Sequence, residues 1–143
     1  MVVRVKVSIK SVLGRHEVQS PAKVNSAFES DEPEVILPPR LAEKLGLWPS
    51  LPRGTEIGSY GTAGGFEAPA YRIRGVLEVK VIEKDRVSNP VKATAAIMSG
   101  EREVILSDKL CDELGIELVR MGKGLWRFSG ESTVRKSVKS KYW

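Results

Sequence analysis

Residues 24–46 read VNSAFESDEPEVILPPRLAEKLG, and the rest of the chain falls into place around them. Val35-Ile36-Leu37 is a short apolar run bounded by breakers, which suits a buried strand. Pro38-Pro39 ends it, and Pro39 fits the first turn of a helix, where its missing N–H is no loss. Leu41, Leu45 and Leu47 mark a buried side, and Gly46 is a natural stop, so the pattern predicts a short helix over 39–46. Upstream, Glu29-Ser30-Asp31-Glu32-Pro33-Glu34 is too acidic and too broken by proline to be anything but a loop.

The same scheme returns later in the chain. VILPPRLAEKLGL (35–47) and VILSDKLCDELGI (104–116) share Val-Ile-Leu, the next leucine, and the closing Leu-Gly in register. Ser107 is a good N-cap for a helix over 108–114, and Gly115 stops it. The physical reading is an internal pseudo-twofold, with two strand–helix units packed on opposite sides of one small barrel.

Outward from these units the chain reads as strands. Val3, Val5 and Val7 alternate with Arg4, Lys6 and Ser8, a half-buried strand. His16 to Gln19 returns antiparallel after a turn, leaving His16 exposed, and a further strand runs from about Ala22 to Phe28. Thr55–Tyr60 and Phe66–Ile73 flank Gly61-Thr62-Ala63-Gly64-Gly65, which reads as a mobile hairpin tip. Further strands are predicted over Gly75–Glu83, Val91–Met98, Ile116–Arg120 and Leu125–Phe128. Trp48 and Trp126 suit packing at the barrel ends.

At 143 residues, 41% hydrophobic and 29% charged, the chain suits one globular domain. We place that domain at 1–130. No apolar run approaches the length of a membrane span, and MVVRVKVSIK lacks the apolar core of a signal peptide. Cys111 stands alone, so no internal disulfide is expected; with one His16 there is no soft-ligand zinc site, and Cys111 reads as a buried, inert thiol. The expected compartment is cytoplasmic. Gln19, Asn25 and Asn89 are the only side-chain amides, a bias that points to a thermophilic source.

Charge is unevenly spread. Four of the net +5 lie in the acid-free residues 132–143, as Arg135, Lys136, Lys139 and Lys141, within the stretch 131–143 that follows the domain. This basic stretch reads as a disordered tail. Those four side chains, with Tyr142 or Trp143 to stack on a base, make weak nucleic-acid contact one expectation.

The order of hairpin, apolar strand ending in Leu37-Pro38, helix ending in Leu45-Gly46-Leu47, glycine-tipped hairpin, and helix ending in Glu113-Leu114-Gly115-Ile116 resembles the retropepsin-like aspartic proteases of small prokaryotic type. The resemblance spans about residues 2–128. It implies a mainly β fold, a small closed barrel with two short helices, and a homodimer whose two aspartates meet at the twofold axis and activate a water. This chain contains no Asp-Thr-Gly. Counting back from Leu37-Pro38 without a gap puts Glu29-Ser30-Asp31-Glu32 where the family has Asp-Thr-Gly-Ala, and Leu106-Ser107-Asp108-Lys109 where it has Leu-Gly-Arg-Asp. A shifted alignment puts Asn25-Ser26-Ala27 there instead, at the cost of a four-residue insertion.

In the gapless frame Ser30 keeps a hydroxyl. Glu29 displaces the acid by more than about 1 Å, a misplacement that can cost on the order of 10²-fold in rate. Asp31 adds a side chain and a charge where the family has glycine. The expectation is therefore a non-catalytic descendant that binds a peptide or protein partner in the former substrate cleft, with Tyr60, Gly64, Gly65, Phe66 and Tyr71 near the hairpin as contacts. The alternatives are an atypical peptidase using Glu29, and the nucleic-acid role of the tail. Glu29, Asp31, Glu32 and Glu34 also form a run of hard oxygen donors, but their spacing matches no calcium loop, and a solvated turn with no bound metal or cofactor is expected.

Overall fold

The computed structural model describes residues 2–24, 28–61 and 65–143. The first hairpin is β1 (Arg4–Ser11) and β2 (Glu17–Val24), antiparallel in register from Arg4–Lys23 to Lys10–Glu17. Val5, Val7 and Ile9 alternate inward as the period-2 pattern requires. The two segments anticipated around Gln19 and Ala22 are thus one strand, described as far as Val24; the next three residues of the anticipated span lie outside the described residues, and Phe28 is not in a strand.

β3 (Glu34–Leu37) comes next and leads into α1 (Pro39–Lys44), with Pro38 as its N-cap. β4 (Glu56–Gly61) and the first half of β5 (Glu67–Val81) form the second hairpin, paired from Glu56–Arg72 to Gly61–Glu67. β5 is fifteen residues long. The expected break at Gly75 is a register shift inside one strand, between Ile73 and Leu77, where Gly75 takes φ +60°. That bend lets one strand serve the hairpin with its first half and the barrel with its second.

β6 (Val91–Ile97), β7 (Val104–Leu106) and α2 (Asp108–Leu114) complete the second unit. Ser107 caps α2 by accepting from Leu110 N at 3.2 Å, and Gly115 closes it at φ +77°. The strands run β1-β2-β7-β3-β6-β5, and pairing of β5 back onto β1 closes six of them into a barrel, with β4 outside. Closure leaves the barrel itself no open edge.

The repeat seen in the sequence is a real pseudo-twofold. β2 pairs parallel with β7 through Ala22–Val104, and β6 pairs parallel with β3 through Ala95–Val35. The two Val-Ile-Leu strands pair antiparallel with each other, Ile36 against Ile105, while Ile9 meets Val79 on the far side. A rotation through those two pairs exchanges the halves. The main core lies within the barrel and against both helices, joining Ile9, Leu37, Leu41, Leu77, Ile97, Leu106 and Leu110. A smaller apolar cluster, Phe28, Ile36, Ala70, Ala96, Met98 and Ile105, lies apart from it, with Tyr60 packed on its side.

β8 (Ile116–Arg120), β9 (Leu125–Phe128) and β10 (Arg135–Lys136) make a separate three-stranded sheet that buries Trp126 and Phe128 in the main core. β10 and residues 137–143 correct the expectation of a disordered tail. Val138 N donates to Arg4 O at 3.0 Å, and Trp143 donates from its backbone to Arg102 O at 2.8 Å and from its indole to Ser20 Oγ at 3.0 Å. Arg135 is buried, bidentate on Asp85 at 2.7 and 3.0 Å and bonded to Glu131 at 2.8 Å. Acids elsewhere in the chain and a seat over the Phe128 ring, 5.2 Å away, draw this stretch onto the body.

Candidate functional site

The acidic loop closes one wall of an open pocket of ≈ 710 Å³ whose opposite wall is the β4–β5 hairpin. The pocket is organised by Glu34, the first residue of β3, whose carboxylate is 1% exposed. Tyr60 donates its hydroxyl to Glu34 Oε2 at 2.7 Å. Arg72 donates from Nε to Oε1 at 2.9 Å, with a second nitrogen 2.7 Å from the same oxygen. Such a buried carboxylate is tolerable only when so satisfied. Its backbone is fixed as well, because Glu34 N donates to Ser107 Oγ and Ser107 N donates to Glu34 O, each at 3.0 Å. The N-cap of α2 and the start of β3 thereby hold each other.

From Arg72 the network spreads outward. Arg72 also reaches Glu32 Oε1 at 2.9 Å, which in turn accepts from Arg74 at 3.1 Å and from Thr94 Oγ1 at 3.1 Å. Arg74 continues to Glu56 at 3.0 Å. Charges thus alternate Glu34, Arg72, Glu32, Arg74, Glu56 across loop and hairpin. Burial first, then the bond to Glu34, holds the Tyr60 proton well above the ordinary tyrosine range. Burial is the largest single influence on Arg72 and works against its charge, but the field of Glu34, the nearby Tyr60 and the bond to Glu34 together outweigh it, and the net shift is upward. The bond to Arg74 holds the exposed Glu56 carboxyl below its usual value.

The anticipated site residues divide. Glu29, Ser30 and Asp31 line the pocket's rim, Glu29 and Asp31 exposed and Ser30 half-buried. Lys109 Nζ donates to Asp31 O at 2.8 Å, and Asp108 N donates to Phe28 O at 3.0 Å, so the loop is tethered to α2. Tyr60 lines the pocket, with its ring edge-on to Phe28 at 6.0 Å. Tyr71 does not join it: alternation along β5 turns it to the other face, where it packs on Trp48 at 5.3 Å. Gly65 and Phe66 are exposed beyond the hairpin strands, whereas Gly64 lies outside the described residues, as do Asn25, Ser26 and Ala27. The tail residues do not gather: Arg135 is buried in its ion pairs, Lys136 and Lys139 are exposed, and Lys141 sits 4.0 Å over the Trp143 ring.

The cation reading of the acidic run meets a direct obstacle, because Glu32 and Glu34 turn their oxygens to Arg72. Among the described residues no group of three or more His, Cys, Asp or Glu is placed to hold a metal ion. Nor is any described helix long and apolar enough to cross a membrane.

Sequence reasoning missed Arg72 and the special place of Glu34, yet a signal was there. The repeat extends one residue back, to Glu34-Val-Ile-Leu and Glu103-Val-Ile-Leu. Arg4 stands opposite Lys23 as Arg72 stands opposite Ala96, and Lys23 and Ala96 are twofold mates, opposite Ile105 and Ile36. Arg4 accordingly grips Glu103 at 2.7 and 3.2 Å, the counterpart of the Arg72–Glu34 pair.

A closed six-stranded barrel with two pseudo-symmetric strand–helix units and an outlying hairpin is the fold of the retropepsin-like class. Among solved structures the chain is similar to the retroviral protease-like domain of Ddi1 from Leishmania major, with a TM-score of 0.52, 13% identity and 97% of each chain covered. At that identity the likeness establishes the fold. No family model matches the sequence, and no curated protein matches it.

Proposed function

We propose that the protein is a non-catalytic member of the retropepsin-like fold class that binds a peptide or protein segment between its acidic loop and its hairpin, and that it works as a homodimer. The observation that carries this reading is the ionic chain from Glu34 to Glu56. A carboxyl that activates water needs an oxygen free to take a proton; Glu34 spends both of its oxygens on Tyr60 and Arg72, and Glu32 commits Oε1 to Arg72, Arg74 and Thr94. The same chain latches the hairpin onto the loop and leaves an open, polar pocket beside it. Gly58, Ser59 and Tyr60 of β4 line that pocket, beside Ser30 and Asp31 of the loop, so polar groups from both walls face whatever occupies it.

The test joins binding to cleavage. A random-peptide library is panned on the protein, and the enriched peptides are titrated against wild type and Gly58→Trp, which fills the pocket from the face of β4 that carries Tyr60, where an added Cβ meets only Arg72 Cδ at 3.6 Å. Enriched peptides that bind wild type, lose about tenfold or more on Gly58→Trp and remain intact at acid and neutral pH support the reading. Cleavage by the unmodified protein overturns it in favour of a peptidase using Glu29; binding indifferent to Gly58→Trp removes the pocket.

A further inference from the structure

The pocket under the hairpin carries charge that its own walls leave unanswered. Its two cations, Arg72 and Arg74, are committed to Glu32, Glu34 and Glu56. Its other acids, Glu29, Asp31 and Asp108, make no ion pair among the described residues. The chain as a whole is at +5, so this excess of carboxylates runs against its general charge. The duplicated frame does not require it. In the register of the repeat, Glu29, Asp31 and Asp108 have Met98, Gly100 and Pro39 as twofold mates, and none of these is charged. Such a cleft focuses its field on whatever enters.

The second half shows what such a place accepts. Gly100, Glu101 and Glu103 line a smaller opening of ≈ 280 Å³, and they are the mates of Asp31, Glu32 and Glu34 under the hairpin. Tyr142, from the last stretch of this same chain, lines that opening with Lys23 and Arg102. The stretch is held on either side by backbone bonds, Val138 N to Arg4 O and Trp143 N to Arg102 O, and the Tyr142 ring lies 5.7 Å from the Arg102 guanidinium. It is free of acid from residue 132 onward, and its Lys136, Lys139 and Lys141 are exposed. One half of the frame thus seats a basic stretch with an aromatic residue beside its glutamate. The other half offers the matching place open, with three added carboxylates to meet the cations. We infer that the ligand of the hairpin pocket is a lysine- or arginine-rich peptide segment carrying an aromatic residue, its cations paired with Glu29, Asp31 and Asp108. The inference rests on the peptide-binding reading above and names the class of segment.

The probe is a fluorescent peptide with the sequence of residues 136–143, titrated onto the full chain at low salt. Its control is the same peptide with Lys136→Gln, Lys139→Gln and Lys141→Gln. The protein variants are Glu29→Gln/Asp31→Asn, both at exposed positions, and Gly58→Trp, with circular dichroism to verify folding. The expected result is binding by the lysine peptide that weakens about tenfold or more with the glutamine peptide, with the double variant and with Gly58→Trp. It should also weaken as salt is raised. Library peptides enriched on the wild-type protein should carry more Lys and Arg than Asp and Glu. No binding of the lysine peptide, binding indifferent to the lysines or to Glu29 and Asp31, or an enriched set without a basic excess overturns the inference; enriched peptides that Gly58→Trp still excludes then leave the pocket reading standing. Charge-dependent binding that ignores Gly58→Trp lies outside the pocket and overturns both.

Discussion

Replacing Arg72 by alanine removes both nitrogens from Glu34 Oε1 and leaves a 1% exposed carboxylate with the Tyr60 hydroxyl alone. Breaking a buried pair from one side costs about 3–5 kcal/mol, because the other charge stays behind without compensation. The Arg72 side chain is 23% exposed, so water softens the loss and about 3 kcal/mol is expected. The pseudo-twofold supplies the control. Arg4→Ala makes the same cut at Glu103, but that carboxylate is 12% exposed and keeps Lys23 at 3.5 Å. Its expected cost is about 1 kcal/mol. Urea unfolding of both variants at one protein concentration measures the gap of about 2 kcal/mol, which for a chain of this length is a difference in Tm of roughly 4–8 °C. Adding Glu34→Gln to Arg72→Ala removes the stranded charge and should recover about half the loss. Equal costs for the two arginines, or no recovery with glutamine, would refute the claim that a buried, singly served carboxylate holds hairpin to loop.

Three further outcomes are expected. The bond from Arg4 holds the Glu103 carboxyl below its ordinary value of 4.5, so its stabilisation is present above that value and is lost as pH falls through the lower folded value; Tm tracked downward from neutral pH should fall more steeply in that window for wild type than for Arg4→Ala, and parallel curves would refute it. Burial pushes the Cys111 thiol up to about 12, so a thiol reagent at mildly alkaline pH should modify it only after unfolding in urea, and prompt labelling of the folded chain would contradict its buried position. Arg135→Ala should destabilise by about 1–2 kcal/mol, since it leaves Glu131 with only the longer Arg86 contact at 3.5 Å and removes one of the two guanidinium groups over Phe128, while Asp85 stays exposed to water; an unchanged Tm would return this segment to the status of a loose tail.

The barrel was legible because its signals are local. Val-Ile-Leu between breakers, a proline at a helix start, and a serine N-cap with a glycine stop can each be read without knowing what lies across the sheet. The site was legible only as a place. Residues 29–34 announced an acidic loop, but which of its acids is buried depends on Arg72 and Tyr60, which reach it across the sheet from 38 and 26 residues away. Cross-strand partners depend on register, and register becomes known only when strand order is known. Tyr71 illustrates the difference: grouped with Tyr60 by nearness in the hairpin, it stands on the opposite face because the hairpin pairs Ile57, not Tyr60, with it. The tail failed in the other direction. Counting charge made residues 131–143 a solvated basic stretch, whereas Arg135 is among the most buried charged side chains because Glu83, Asp85 and Glu131 converge on it.

The pseudo-twofold links these points. Glu34 and Glu103 occupy one position of a duplicated frame, each gripped by an arginine from the strand two places away in the barrel order. In the second half the glutamate keeps an added lysine, Lys23, and the end of the chain packs beside it, with Trp143 bonded to Arg102. In the first half the added partner is Tyr60, delivered by a hairpin that has no counterpart among the described residues of the second half, and a pocket opens there between hairpin and loop. One frame therefore yields two openings of unequal size, ≈ 280 Å³ beside Glu103 and ≈ 710 Å³ under the hairpin. The difference lies in what covers the glutamate, and the larger opening under the hairpin is where the proposed ligand is expected to seat.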